Sequence, residues 1–82
     1  MATKPPSTIL RAQLRERIAR HIDELHLTRP AAGQTLGLTP AQMSRLASDE
    51  DIFSLDRLVD AAAAIGLTVR LSATRHYSRE EE

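Results

Sequence analysis

Residues 37–53, GLTPAQMSRLASDEDIF, hold the side chains with most to offer a partner. Gln42 and Arg45 stand three residues apart, so a helix would present both on one side. Their chemistry is that of base recognition. A guanidinium donates two parallel hydrogen bonds to guanine O6 and N7, and a carboxamide pairs in the same bidentate way with adenine N6 and N7. Pro40 and Ala41 lie beside them and offer only apolar contact, of the kind a thymine methyl accepts. Ser44 adds a short hydroxyl. Three acids follow directly, Asp49, Glu50 and Asp51. They raise the question of whether this surface faces a polyanion or a protein.

Other chemistries find no support. Ser44 has no histidine base near it in sequence, so nucleophilic catalysis lacks its second partner. His21, His26 and His76 are scattered without metal or catalytic spacing, and Asp49 and Asp51 have no further ligands at suitable intervals. The absence of cysteine excludes disulfides and thiolate zinc sites and fits a reducing compartment. No apolar run is long enough for a signal-peptide core or a membrane span. The expectation is a cytoplasmic protein that is not an enzyme and has no cofactor or metal.

The 82 residues suffice for one small domain with an aliphatic core; there is one Phe, one Tyr and no Trp. So modest a core leaves little surplus stability, which makes a partner subunit plausible. Lys and Arg balance Asp and Glu at 11 each, which argues against a bulk electrostatic binder of nucleic acid. The distribution is uneven, however. The stretch 28–48 contains Arg29 and Arg45 and no acid, so positive potential collects around the segment that holds Gln42.

The elements that position these groups can be read from periodicity. Residues 1–7 are polar and proline-containing and read as a disordered lead, with Ser7 or Thr8 as a helix cap. Leu10, Leu14, Ile18, Ile22 and Leu25 then follow at helical spacing. Arg11, Arg15, Glu16, Arg20 and Glu24 fall on the other faces, and His26 closes the helix in a left-handed conformation. Thr28 caps a second helix with Arg29 and Pro30 in its first turn, ending at Gly37. Thr39 caps a third through the capping box Thr39-Pro40-Ala41-Gln42. Ser54 caps a fourth, with Phe53 and Leu58 placed as a hydrophobic staple and Gly66 as its stop. Residues 67–73 alternate apolar and polar, the pattern of a strand. Residues 74–82 read as a disordered charged tail.

The second and third helices form the functional signature. Gly33 is small where their backbones approach, Gly37 supplies the turn, Leu38 tucks beneath it, and Met43 and Leu46 anchor the third helix. That leaves Pro40, Ala41, Gln42, Ser44 and Arg45 outside. This is a helix-turn-helix by physical reading. The stretch LTRPAAGQTLGLTPAQMSRL (27–46) resembles the motif of the XRE, phage-repressor-like, transcription regulators. With the downstream IFSLDRL and the terminal strand, residues 9–73 resemble the small HigA-like antitoxins of that family.

The resemblance implies an all-α domain of four to five helices with a C-terminal β-strand pairing across a homodimer. It also implies repression of the protein's own toxin–antitoxin operon. The partners it implies are a pseudo-palindromic double-stranded DNA operator and a toxin of the RelE/HigB mRNA-cleaving type. By position, Pro40, Ala41, Gln42 and Arg45 fall on or beside the base-reading positions, while Thr28, Arg29, Thr39 and Ser44 fall where phosphate is held. The family usually has Gln where this chain has Arg29. It often has Gly and a basic residue where this chain has Ser48-Asp49-Glu50-Asp51.

Two points stay open on the sequence alone. Gln42 can serve the capping box or read a base. The acidic run can be a solvated loop or a surface for a basic partner, in which case the chain would be a toxin-neutralising protein with weak DNA binding. A lone strand has unsatisfied amides and carbonyls, and the simplest remedy is the same strand of a second copy, with Leu67, Val69 and Leu71 at the dimer interface.

Overall fold

The computed structural model describes residues 4–75, and four helices account for its regular structure: α1 (Pro6–Glu24), α2 (Arg29–Leu36), α3 (Pro40–Ala47) and α4 (Leu55–Ala64). Helix α1 packs along α4, α2 pairs with α3, and α2 and α3 lean on α4 and α1 respectively. All four supply the core. Ile18 and Ile22 come from α1, Ala32 and Leu36 from α2, Met43 and Leu46 from α3, and Leu58, Ala61 and Ala62 from α4, with Phe53 and Ile65 at its ends.

Local signals account for most of the boundaries. Thr28, Thr39 and Ser54 each cap a helix with a side-chain oxygen that accepts a backbone amide. Phe53 and Leu58 are both buried, as a staple requires. The four helices end alike, on a residue of positive φ: His26 (56°), Gly37 (74°), Asp49 (59°) and Gly66 (89°). At each exit the next amide reaches back to a carbonyl of the last turn: Leu27 to Ile22 (3.2 Å), Leu38 to Gly33 (2.8 Å), Glu50 to Arg45 (3.0 Å) and Leu67 to Ala62 (2.9 Å). That 6→1 bond is the mark of a Schellman ending.

The structure departs from the sequence reading in four places. Helix α1 begins at Pro6 after Pro5, without a side-chain cap, so Ser7 and Thr8 lie inside it. Proline needs no amide in a first turn, which lets the helix start earlier. Leu10 and Leu25 are exposed. At the C-terminal end, His26 turns the chain and Leu27 packs on the core in place of Leu25. Arg15, assigned to a solvent face, is 4 % exposed. Finally, the described residues contain four helices, with neither a fifth helix nor a strand; residues 67–75 have no regular structure. A strand needs a ladder, and the described residues of a single copy offer 67–73 no partner. Residues 1–3 and 76–82, parts of the two expected disordered ends, lie outside the described residues.

Candidate nucleic-acid interface

The turn between α2 and α3 is built around close approach. A β-carbon on Gly33 would stand 3.0 Å from Met43 Cγ and 3.1 Å from the Leu38 carbonyl oxygen. A side chain there would force its neighbours to shift, so glycine suits the close approach of the two helices. Gly37, in the left-handed region, reverses the chain. Met43 and Leu46 are buried beneath α3, so the rotation of the helix leaves Pro40, Ala41, Ser44 and Arg45 exposed. Four of the expected contact positions on α3, Pro40, Ala41, Ser44 and Arg45, are therefore accessible.

Gln42 is half-buried and occupied. The Thr39 amide donates to Gln42 Oε1 (2.9 Å) and the Gln42 amide donates to Thr39 Oγ1 (3.2 Å), the complete capping box. Its Nε2 remains for another partner. At the mouth of the pair, Arg29, Pro30, Gln34, Pro40 and Ser44 line a cleft of about 360 Å³ floored by Gly33, Leu38 and Met43. The structure thus brings Arg29 and Ser44, fifteen residues apart in the sequence, to one rim. Thr28 and Thr39 stand at the N-termini of the two helices, each with its hydroxyl on a backbone amide. Gln34, which the sequence reading passed over, faces the same cleft. Its place is one turn after Pro30 on the helix.

Charge is partitioned between two sides. The arginines of α1 are matched internally. Arg11 Nε and Nη2 donate to the two oxygens of Asp51 (2.8 and 3.0 Å). Arg15 Nε donates to Asp49 (2.9 Å) and its Nη1 to Asp51 (3.0 Å). Arg17 lies 3.5 Å from Glu24, and Arg20 pairs with Glu16 at 3.2 Å. The Asp51 carboxyl is held below its ordinary value, chiefly by the hydrogen bond from Arg11; desolvation opposes this, and the positive charges of Arg11 and Arg15 and the hydrogen bond from Arg15 reinforce it. Glu24 is likewise lowered, chiefly by its hydrogen bond with His21 (3.1 Å).

Arg29 and Arg45 form no ion pair among the described residues. They share that with Lys4, Arg57, Arg70 and Arg75, which lie off the two-helix unit. An unpaired exposed guanidinium is available to a phosphate or a base edge at little desolvation cost.

The acidic run is therefore not simply a solvated loop. Asp49 and Asp51 are tied to α1, and Glu50 alone projects without an ion pair among the described residues. The sequence did hold a signal for this. Arg11, Arg15, Ile18 and Ile22 recur at spacings of four, three and four, which puts both arginines on the buried face. The C-terminal segment is less committed. Leu67 packs on the core, whereas Val69 and Leu71 are 40 % and 83 % exposed. Both border a shallow groove with Leu10, Leu14, Leu55 and Val59, and among the described residues Leu71 stays mostly uncovered.

No helix of the described residues is long and apolar enough to cross a membrane, and none of their acidic and histidine side chains cluster in threes as a metal site requires. Comparison with curated proteins and with solved structures found no match. The helix-turn-helix domain family matches residues 3–74. Domains of this type imply a DNA partner and are typically non-enzymatic. With most of its 82 residues matched, and with the capped third helix, tight turn and buried anchors in place, this chain belongs to the helix-turn-helix domain family.

Proposed function

We propose that this protein is a sequence-specific DNA-binding transcription regulator, a homodimeric autorepressor of a toxin–antitoxin operon. The observation that carries the DNA reading is the outward face of α3. Pro40, Ala41, Ser44 and Arg45 are exposed there, and Arg45 has no acidic partner among the described residues while the arginines of α1 are paired within the chain. Arg45 reads guanine through two hydrogen bonds, and Ala41 and Pro40 meet a thymine methyl. Gln42 keeps its Oε1 on the helix cap and offers Nε2, a weaker reader than a free carboxamide. Thr28, Arg29, Thr39 and Ser44 hold phosphate at the helix N-termini and the cleft rim.

The dimer reading rests on Leu67, Val69 and Leu71. Their alternation suits a strand, and the exposure of Val69 and Leu71 leaves apolar surface for a second copy. Two copies related by a two-fold axis present two reading helices to half-sites about 34 Å apart. The toxin–antitoxin assignment rests on the resemblance of residues 9–73 to HigA-like antitoxins. The alternative, a toxin-binding protein with weak or no DNA binding, rests on the zero net charge and on the acidic loop as a free surface. With Asp49 and Asp51 engaged by Arg11 and Arg15, that free surface reduces to Glu50.

The test is a gel shift on the protein's own promoter, with and without the product of the neighbouring gene. Affinity should fall steeply with salt as phosphate contacts displace counterions. Arg45→Ala should relax sequence preference at one position, whereas Arg29→Ala should weaken all duplexes alike. Tight, selective operator binding by the Gln42→Ala, Arg45→Ala double variant would remove α3 as the reading helix.

A further inference from the structure

Asp49 occupies a backbone state that glycine adopts most cheaply, with φ of 59°. Two other helix exits in this chain use glycine for it, Gly37 and Gly66. A carboxylate here incurs a conformational penalty, and its return is visible: Arg15 Nε, 34 residues away in sequence, donates to it at 2.9 Å. The guanidinium of Arg15 is buried, so it needs fixed partners. Its Nη1 holds Asp51 at 3.0 Å, and Asp51 is gripped a second time by Arg11. Between the two gripped aspartates, the Glu50 amide donates to the carbonyl of Arg45 at 3.0 Å. The grip therefore closes on the turn of α3 that carries Arg45.

Packing fixes which side of this helix faces inward, and directional bonds at its exit can refine its tilt and depth. Helix α3 has eight residues and two buried side chains, Met43 and Leu46. Apolar burial is non-directional, whereas charge-assisted bonds to a planar guanidinium are directional. We propose that Arg15 and Asp49, buttressed by Arg11 and Asp51, are positioning residues that set the angle and depth at which α3 meets DNA, and so govern base discrimination rather than general affinity. This rests on the DNA-reading function proposed above.

The experiment compares the wild type with Asp49→Gly, Arg15→Lys and Ile65→Val. Asp49→Gly keeps the left-handed backbone and removes only the carboxylate. Ile65→Val trims the core at the end of α4, outside the Arg15–Asp49 contacts, and serves as a control for lost stability. Two quantities are read: hydrogen exchange at the Ser48, Asp49 and Glu50 amides, and the ratio of affinities for a duplex selected from a random library and for its scrambled version. Asp49→Gly should speed exchange at these amides relative to those of α1 and α4. It should cut the ratio about tenfold, the scale of one base contact. Affinity for the scrambled duplex should be equal or higher, since a negative charge is gone. Arg15→Lys should lose most of the same ratio, because an ammonium cannot hold two aspartates in the planar geometry, and Ile65→Val should lose none.

Wild-type discrimination or wild-type exchange in Asp49→Gly would overturn the inference. An equal loss of discrimination in Ile65→Val would also overturn it, since stability alone would then explain the effect. A wild-type protein that selects no sequence at all overturns the DNA reading itself, an outcome distinct from a selective wild type matched by an equally selective Asp49→Gly.

Discussion

The two ends of α3 are held in opposite ways. At its entry, Thr39 and Gln42 bond each other's amides across three residues, and Pro40 presets the first turn. At its exit, the bonds come from α1, from Arg15 to Asp49 and from Arg11 and Arg15 to Asp51, across 34 to 40 residues. The entry would form in any helix with this sequence. The ion pairs that brace the exit exist only in the folded domain. Helix α3 takes its start from local chemistry and the ion pairs at its exit from the tertiary fold.

The contrast breaks most severely where the entry meets α2. Gly33→Val places branched carbons against Met43 Cγ and the Leu38 carbonyl oxygen. Met43 can move aside, but the carbonyl is backbone, and the Leu38 amide is bonded to Gly33. Overpacking of this kind should lower stability by about 2–3 kcal/mol in urea denaturation. Gly33→Ala should lose less, since alanine returns about 1 kcal/mol of helix propensity. A stable Gly33→Val protein would show that α2 and α3 do not approach this closely.

At the exit, backbone and charge can be separated at one position. Asp49→Ala loses the bond to Arg15 and keeps a β-carbon in the left-handed region; Asp49→Gly loses the same bond without the steric penalty. The alanine variant should melt lower, by an amount equivalent to about 1 kcal/mol. Equal melting temperatures would mean that residue 49 is not left-handed in solution, and the exit would then resemble an ordinary frayed end.

The same contrast explains what was legible in the sequence. The caps at Thr28, Thr39 and Ser54, the staple of Phe53 and Leu58, the left-handed His26 and the anchors Met43 and Leu46 all follow from spacings of a few residues, and the structure has each of them. The exposed side of α3 follows in turn from its buried side. What sequence spacing could not supply was the pairing of Arg11 and Arg15 with Asp49 and Asp51. Charges on a helix read as solvated unless their partners are known, and these partners arrive only when α3 docks on α1. The strand over 67–73 is the converse case. Its alternation is clear, but a ladder is a property of two segments, and the described residues of a single copy provide one.

The entry can be tested for its independence from the fold. Thr39→Ala should cost about 1 kcal/mol, as loss of an N-cap does. Gln42→Ala should cost less. The two losses should not add, because each side chain serves the other's amide. A double-mutant cycle on thermal unfolding reads the coupling. Strict additivity would show that the reciprocal box does not form in solution and would free Gln42 to read bases with both of its groups.

The smallest effect, on acid stability, separates the two aspartates of the exit. Arg11 and Arg15 hold the Asp51 carboxylate below its ordinary range, against an unfolded value of about 4. Around that pH the unfolded chain binds more protons at this site than the folded one, so falling pH favours unfolding. The contribution of Asp51 is thus fully present above the ordinary carboxylate range and is lost as pH drops through the lowered folded value. Asp51→Asn removes the titrating group, and the slope of stability against pH below about 4 should flatten. It should not vanish, because Glu24 is lowered in the same direction by His21 and Arg17; Glu24→Gln should take a further part of it. Added salt should shrink both effects, since these groups face solvent. An unchanged acid slope in Asp51→Asn would mean that the Arg11 and Arg15 bonds to Asp51 are not kept in solution. The exit of α3 would then hang on Arg15 and Asp49 alone, which makes Asp49→Gly the sharper probe of the reading helix.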